Sequence, residues 1–185
     1  VHALLARMEQ EGLLLRVYTQ NIDGLEHAAG VSAGRVIECH GTTTRVVCAT
    51  NPQHAVQGLT ATAVANQVLQ GQAAPRCPCG SLIRPDIVFF GEPLPAEFHR
   101  HSGEDLASCD LLLVIGTALS VYPVAGLVAR VPALTPRLLI NREAVGPWRG
   151  AKGNPENYRD VHFDGDCDAG AEQLANELSW PLRIS

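Results

Sequence analysis

Apolar residues in this chain come in short blocks, and most blocks end abruptly in a polar cluster. Leu13 to Tyr18 reads as a buried strand running straight into Thr19, Gln20, Asn21, Asp23 and Gly24. Val36-Ile37 is a shorter apolar step that delivers Glu38, Cys39, His40 and Gly41. Leu111 to Ile115 is a continuous apolar run, as expected of a parallel strand covered on both faces. Leu138 to Ile140 and Val161 to Phe163 repeat the motif, and Val46 to Cys48 and Ile87 to Phe90 are further strand-like blocks. Helical patterns lie between them. His2 to Gln10 sets Leu4, Leu5 and Met8 at helical spacing before Gly12, and Ala96 to Ser108 turns Phe98 and Leu106 inward. Leu25 to Ala29, Ala61 to Gln70, Pro123 to Val131 and Ala169 to Leu178 complete the helices.

Strands alternating with helices predict an α/β fold built on a doubly wound parallel sheet. Residues 44–83 break the rhythm with turns, a weak helix and the cysteine-bearing stretch Pro75 to Gly80. They read as a small inserted module within a main domain formed by residues 1–43 and 84–185. Ala144 to Asp160, rich in Gly, Pro and polar residues, is expected to be a mobile surface loop.

Composition narrows the classes. At 185 residues, 46% hydrophobic and 18% charged, the chain is globular in character and large enough for a stable core. A net charge of −5 argues against a nucleic-acid partner, which would call for a basic stripe. No apolar run approaches the roughly 18 residues of a membrane span, and no signal-peptide pattern opens the chain. The first residue is Val, so the expectation is that the natural N-terminus lies upstream. Six cysteines without a secretory signal suggest a metal site or free thiols in a reducing compartment.

The polar clusters carry the chemistry. Open α/β sheets bind ligands at the carboxyl ends of their strands. Here one end offers amide and carboxylate groups, and another offers the His40 imidazole, a proton acceptor near neutral pH. Asn-Ile-Asp-Gly and His-Gly are equally ordinary turn chemistry. Gly116-Thr117-Ala118 leads from strand to helix, where backbone amides can meet phosphate or ribose oxygens. Asn141-Arg142-Glu143 adds an amide and a carboxylate suited to ribose hydroxyls. Gly165-Asp166-Cys167-Asp168 precedes the last helix, where Asp168 could equally be a simple cap. No GxGxxG follows a strand.

TQNIDGLE followed by ECHG, at this spacing, closely resembles the sirtuins, the NAD-dependent protein deacylases. IGTALSVYPVA, LLINRE and GDCDAG resemble the blocks lining the NAD site, and RPDIVFFGEPLP the block that pairs with the substrate peptide. The resemblance runs from about residue 4 to the end and is closest to the class that includes the mitochondrial and tubulin-directed deacetylases. It implies NAD as cofactor, contacted by Thr19, Gln20, Asn21, Ile22, Asp23, Gly116, Thr117, Ala118, Asn141, Arg142, Glu143 and Cys167. His40 would be the general base, with Asn21 and Asp23 orienting the nicotinamide ribose and amide. Val88, Phe89, Phe90, Gly91 and Glu92 would pair with an acyl-lysine protein or peptide. In the family's reaction the acyl oxygen attacks C1′ of the ribose, nicotinamide leaves, and the acyl group ends on ADP-ribose.

Sirtuins usually hold a structural zinc with two Cys-x-x-Cys pairs. Here Asn51 stands three positions after Cys48, and Cys77-Pro78-Cys79 is one residue short. His54 is close enough in sequence to join Cys48, Cys77 and Cys79 as a fourth ligand of one zinc in a ribbon-like insert. Sirtuins also open with a Gly-Ala-Gly strand and turn that cradles the pyrophosphate, and this sequence does not contain it. The expectation is a Rossmann-like domain without its first strand, a piece of a longer intracellular enzyme of cytoplasm, nucleus or mitochondrion. Its function would be NAD-dependent deacylation of protein lysines, with no nucleic-acid or membrane partner. Mono-ADP-ribosyl transfer on the same scaffold, or a non-catalytic NAD- or peptide-binding remnant, are the alternatives.

Overall fold

A computed structural model describes residues 1–54, 56 and 58–182. Helix α1 (His2–Gln10) buries Leu4 and Ala6. Strand β1 (Val17–Thr19) pairs in parallel with β2 (Val36–Glu38) through the short helix α2 (Leu25–Ala28), Val17 standing opposite Val36. Strands β3 (Gly41–Cys48) and β4 (Ile83–Ile87) are antiparallel and enclose α3 (Ala61–Leu69), whose N-cap Thr60 accepts from the Ala63 amide. Helix α4 (Ala96–Ser108) leads to β5 (Leu112–Ile115), which forms a parallel sheet with β6 (Arg137–Asn141) and β7 (Asp160–Asp164) in the order β5-β6-β7. Helix α5 (Cys167–Glu177) closes the chain, with Ala171 and Ala175 packed on Leu4. No helix among the described residues is long and apolar enough to cross a membrane.

The α/β class with parallel strands is as the pattern predicts, but the parallel strands fall into two sheets. Between them lies a cavity of about 740 Å³, lined by all residues from Leu13 to Asn21 and from Ser108 to Thr117. Side chains of a strand alternate between its two faces, so a lining of consecutive residues marks strand edges, not faces. The edges of β1 and β5 therefore look at each other across the cavity. Ile37 and Cys39 pack with Phe98, Leu106, Val124 and Leu127, which joins the β1–β2 unit to α4 and the second sheet.

Local details correct several expectations. Leu13 to Tyr18 is not one buried strand: the Leu13 and Leu14 amides still bond the Met8 carbonyl at the end of α1, and Leu13 is exposed. β3 is longer than Val46 to Cys48, because Gly41 to Arg45 also joins the strand despite its polarity. Ile87 to Phe90 is not a strand; β4 ends at Ile87 and the chain then turns. Pro123 to Val131 is only a 3₁₀ helix, Val124–Ala129. The mobile loop expected over Ala144 to Asp160 is instead anchored by Trp148, which is buried against Val114, Val128, Leu139 and Val145. The cap of α5 is Asp166, which accepts from the Asp168 amide, and not Asp168.

Two carboxylate–guanidinium pairs sit inside this framework. Arg137 forks onto Asp160 at 2.6 and 2.7 Å, locking β6 to β7. On α4, buried Asp105 accepts from Arg16 Nε at 2.9 Å and from the Tyr18 hydroxyl at 2.6 Å. Burial pushes the Asp105 carboxyl up, but the hydrogen bonds from Arg16 and Tyr18 outweigh it and hold the group below its ordinary range. A depressed folded value means that this stabilisation is present above the unfolded carboxyl value of about 4 and is lost as pH falls through the folded one. Asp105→Ala is expected to destabilise the chain by about 3–5 kcal/mol in urea unfolding, because Arg16 is left without its carboxylate. The variant should also lose part of the parent's loss of stability below about pH 4. A change under about 1 kcal/mol would show that the pair is not holding α4 to β1.

Candidate functional site

The site begins where β1 and β2 end. The ladder continues one residue past β2, Cys39 N bonding Thr19 O at 2.9 Å, and this delivers His40 beside Gln20. His40 Nδ1 lies 3.1 Å from the Gln20 carbonyl oxygen. A carbonyl can only accept, so Nδ1 carries the hydrogen and neutral His40 keeps its lone pair on Nε2. On the far side the Val88 amide donates to the His40 carbonyl at 2.9 Å, fastening the histidine to the end of β4. Gly41 makes this approach possible: its φ is +74°, and a Cβ there would sit 2.1 Å from the Asp86 carbonyl oxygen.

Both readings of the Asn-Ile-Asp-Gly stretch hold at once. Asp23 Oδ1 accepts from the Leu25 amide at 3.1 Å, and the Asn21 amide donates to the Thr19 hydroxyl at 3.2 Å, which is turn chemistry. Yet Gln20, Asn21, Ile22 and Asp23 also line a cavity of about 580 Å³ together with His40 and all of Val88, Phe89, Phe90, Gly91 and Glu92. Ile87, Leu94, Val121 and Tyr122 complete its wall. Sequence reasoning did not single these four out, although Ile87 and Leu94 lie in the RPDIVFFGEPLP block and Val121 and Tyr122 in the IGTALSVYPVA block, where Tyr122 turns out to be an exposed aromatic ring.

Gln20 and Asn21 also face the larger cavity, beside Thr19, Gly116 and Thr117. The Thr117 hydroxyl donates to Gln20 Oε1 at 3.0 Å, joining the ends of β1 and β5. Glu26 lines this cavity too, and its buried Oε2 has no hydrogen-bond partner among the described residues. Ala118, Asn141, Arg142, Glu143 and Cys167 line neither cavity. They cluster along the carboxyl ends of β5 and β6 and the start of α5. There Asn141 Nδ2 donates to the Glu143 carbonyl at 2.8 Å, Arg142 pairs with Asp166 at 3.0 Å, and Cys167 Sγ packs beside Gly116.

The donor atoms of Cys48, His54, Cys77 and Cys79 all lie within 4.8 Å of one another. A zinc tetrahedron with bonds of about 2.3 Å puts its thiolates roughly 3.8 Å apart. The Cys48 and Cys79 sulphurs are 3.5 Å apart, and Cys77 Sγ is 3.8 Å from His54 Nδ1. Hydrogen bonds from Ser81 pull the Cys79 thiol down to about 5, and the Thr50 hydroxyl pulls Cys48 down to about 7. Thiolate is the form that binds metal. Asn51, standing where a fourth cysteine would be, instead contacts His54 Nε2 at 3.0 Å and steadies the ring. Three thiols and an imidazole fit one zinc ion. Elemental analysis of protein from zinc-replete medium is expected to find about one zinc per chain, and Cys79→Ala should lower that occupancy. Amides of residues 44–83 should exchange faster in the variant, since structural zinc supplies folding free energy. Metal-free protein with an equally protected insert would overturn this.

Comparison with known proteins agrees with the site's composition. The family model described as Sir2 family matches residues 1–123. The NAD-dependent protein deacetylase sirtuin-3 of Mus musculus is 43% identical over 185 residues, covering 99% of this chain and 52% of its own length. The NAD-dependent protein deacetylase sirtuin-2 of Danio rerio is 38% identical over 198 residues, with 99% and 51% covered. A solved structure described as "The Structural basis for Sirtuin Substrate affinity" superposes with a TM-score of 0.76 at 31% identity, covering 97% of this chain and 71% of that one. The chain thus spans about half the length of the curated relatives it matches. A match over two thirds of its residues, one that includes His40 and both walls of the smaller cavity, shows that the chain belongs to the Sir2 family.

Proposed function

We propose that these residues belong to an NAD-dependent protein-lysine deacylase, with the main domain in residues 1–43 and 84–185 and a zinc-holding insert in 44–83. The observation that carries the reading is His40. Its Nδ1 is committed to the Gln20 carbonyl, which leaves Nε2 as the basic nitrogen of a residue lining the cavity walled by Asn21, Asp23 and Val88 to Glu92. NAD, when bound, supplies a ribose carbon made electrophilic by its pyridinium leaving group and a hydroxyl on which the acyl group ends. His40 Nε2 takes the proton of a ribose hydroxyl. Asn21 and Asp23 orient the nicotinamide end, and Gln20 lines both cavities and accepts from the Thr117 hydroxyl. Gly116, Thr117 and Ala118, with Asn141, Arg142, Glu143 and Cys167, provide the amides and carboxylate for the remaining ribose and adenine contacts. Residues 88–92, which follow β4 and turn back on themselves, wall the cavity where the peptide would dock. Six unbridged cysteines fit a reducing, intracellular compartment.

The test is His40→Ala in the full-length protein. Turnover of an acetyl-lysine peptide should fall by about 10²- to 10⁴-fold, as for loss of a general base, while peptide affinity and thermal stability hold. Turnover within about threefold of the parent would remove His40 from the reaction.

A further inference from the structure

The turn from Phe89 to Glu92 has little to hold it by itself. Its backbone closes through Glu92 N to Phe89 O at 3.0 Å. Gly91, third in the turn, has a φ of +89°, and Phe90, second in the turn, is fully exposed. No side chain of the turn is buried in a core, yet the turn forms one wall of the cavity that contains His40. Its anchor comes from β4. Arg84, opposite Val47 in the β3–β4 ladder, donates through Nη1 to the Ile87 carbonyl at 2.9 Å and pairs through Nη2 with Glu92 Oε1 at 3.0 Å. Its guanidinium also lies over the Phe89 ring, 5.1 Å from the centroid. The second carboxylate oxygen of Glu92 accepts from the Phe89 amide at 3.0 Å. One planar cation therefore grips the first residue, the last residue and the stem of the turn.

Resting on the function proposed above, we propose that Arg84 is a positioning residue: it fixes the turn Phe89 to Glu92 in the shape that receives an acyl-lysine peptide, without touching that peptide. Arg84 is not among the residues that line the cavity. A single ion pair to a half-exposed carboxylate would count for little. Here the same guanidinium satisfies a carbonyl, a carboxylate and an aromatic face, an arrangement that needs a fixed fork and a flat cation. Lysine has neither. The turn is also the place where rigidity matters, because a peptide that must order the segment it docks on loses affinity to that ordering.

The experiment compares Arg84→Lys and Arg84→Gln with the parent, all as full-length protein, using an acetyl-lysine peptide and NAD. Both variants are expected to raise KM for the peptide about tenfold, with kcat and KM for NAD within about twofold, the split that marks lost substrate binding. By hydrogen exchange, the Phe89 and Glu92 amides should lose protection while those of β3 and β4 keep theirs. An unchanged peptide KM, or full rescue by lysine, overturns the proposal. So does a fall in kcat together with lost protection in β3 and β4, which would make Arg84 a general fold residue. Should the parent itself turn over no acyl-lysine peptide, the function reading fails. The exchange of the Phe89 and Glu92 amides then decides alone whether Arg84 holds the turn.

Discussion

A buried carboxylate carries much of this structure. Asp105 receives Arg16 and Tyr18 from the first sheet while its own helix, α4, packs against the 3₁₀ segment ahead of β6. Arg16 reaches further, donating to the Gly34 carbonyl just before β2. The carboxylate therefore sets the position of both strands whose ends carry Gln20 and His40. Replacing it with an apolar residue would leave a cation stranded beside an apolar cavity, a far greater cost than the loss of one hydrogen bond.

A second ionic link runs in the other direction. Arg45 on β3 bonds Glu38 at 3.0 Å and Asp86 at 2.9 Å, so it spans from β2, two residues before His40, to β4, two residues before Val88. His40 thus sits between two strand ends that one side chain holds in register. The metal-ligand cluster is at the far end of the same β3–β4 pair, with Cys48 closing β3. The insert and the histidine thus sit at opposite ends of one antiparallel ladder.

Much of this was legible in the chain, for identifiable reasons. Leu111 to Ile115 and the α4 pattern are long, one-sided or continuous, so periodicity alone places them. His40 was legible because it follows an apolar step directly, and its partner Gln20 stands at the end of another. What escaped was decided by distant packing. Thr42 is wholly buried and bonds Thr44, so a polar run could form a strand that composition would leave as loop. Trp148 turned a Gly- and Pro-rich segment into a fixed one, through contacts with three elements far away in sequence. Val121 and Tyr122 reach the smaller cavity only because the two sheets meet, and Arg84 matters only because a turn five residues later folds back over it.

The cavity between the sheets leaves β5 with a divided character. Its side chains are those of a central strand, all leucine, valine and isoleucine. Its backbone is bonded on one side only: the Leu112 and Gly116 amides engage the Pro136 and Ile140 carbonyls, and the pleat turns those of Leu113 and Ile115 toward the cavity. Proteins keep strand margins harmless with charge, proline or brevity, and β5 relies on brevity alone, with four residues and no charge. Such a strand is adhesive by construction. Any polypeptide laid alongside it would be met first by main-chain geometry and only afterwards by sequence.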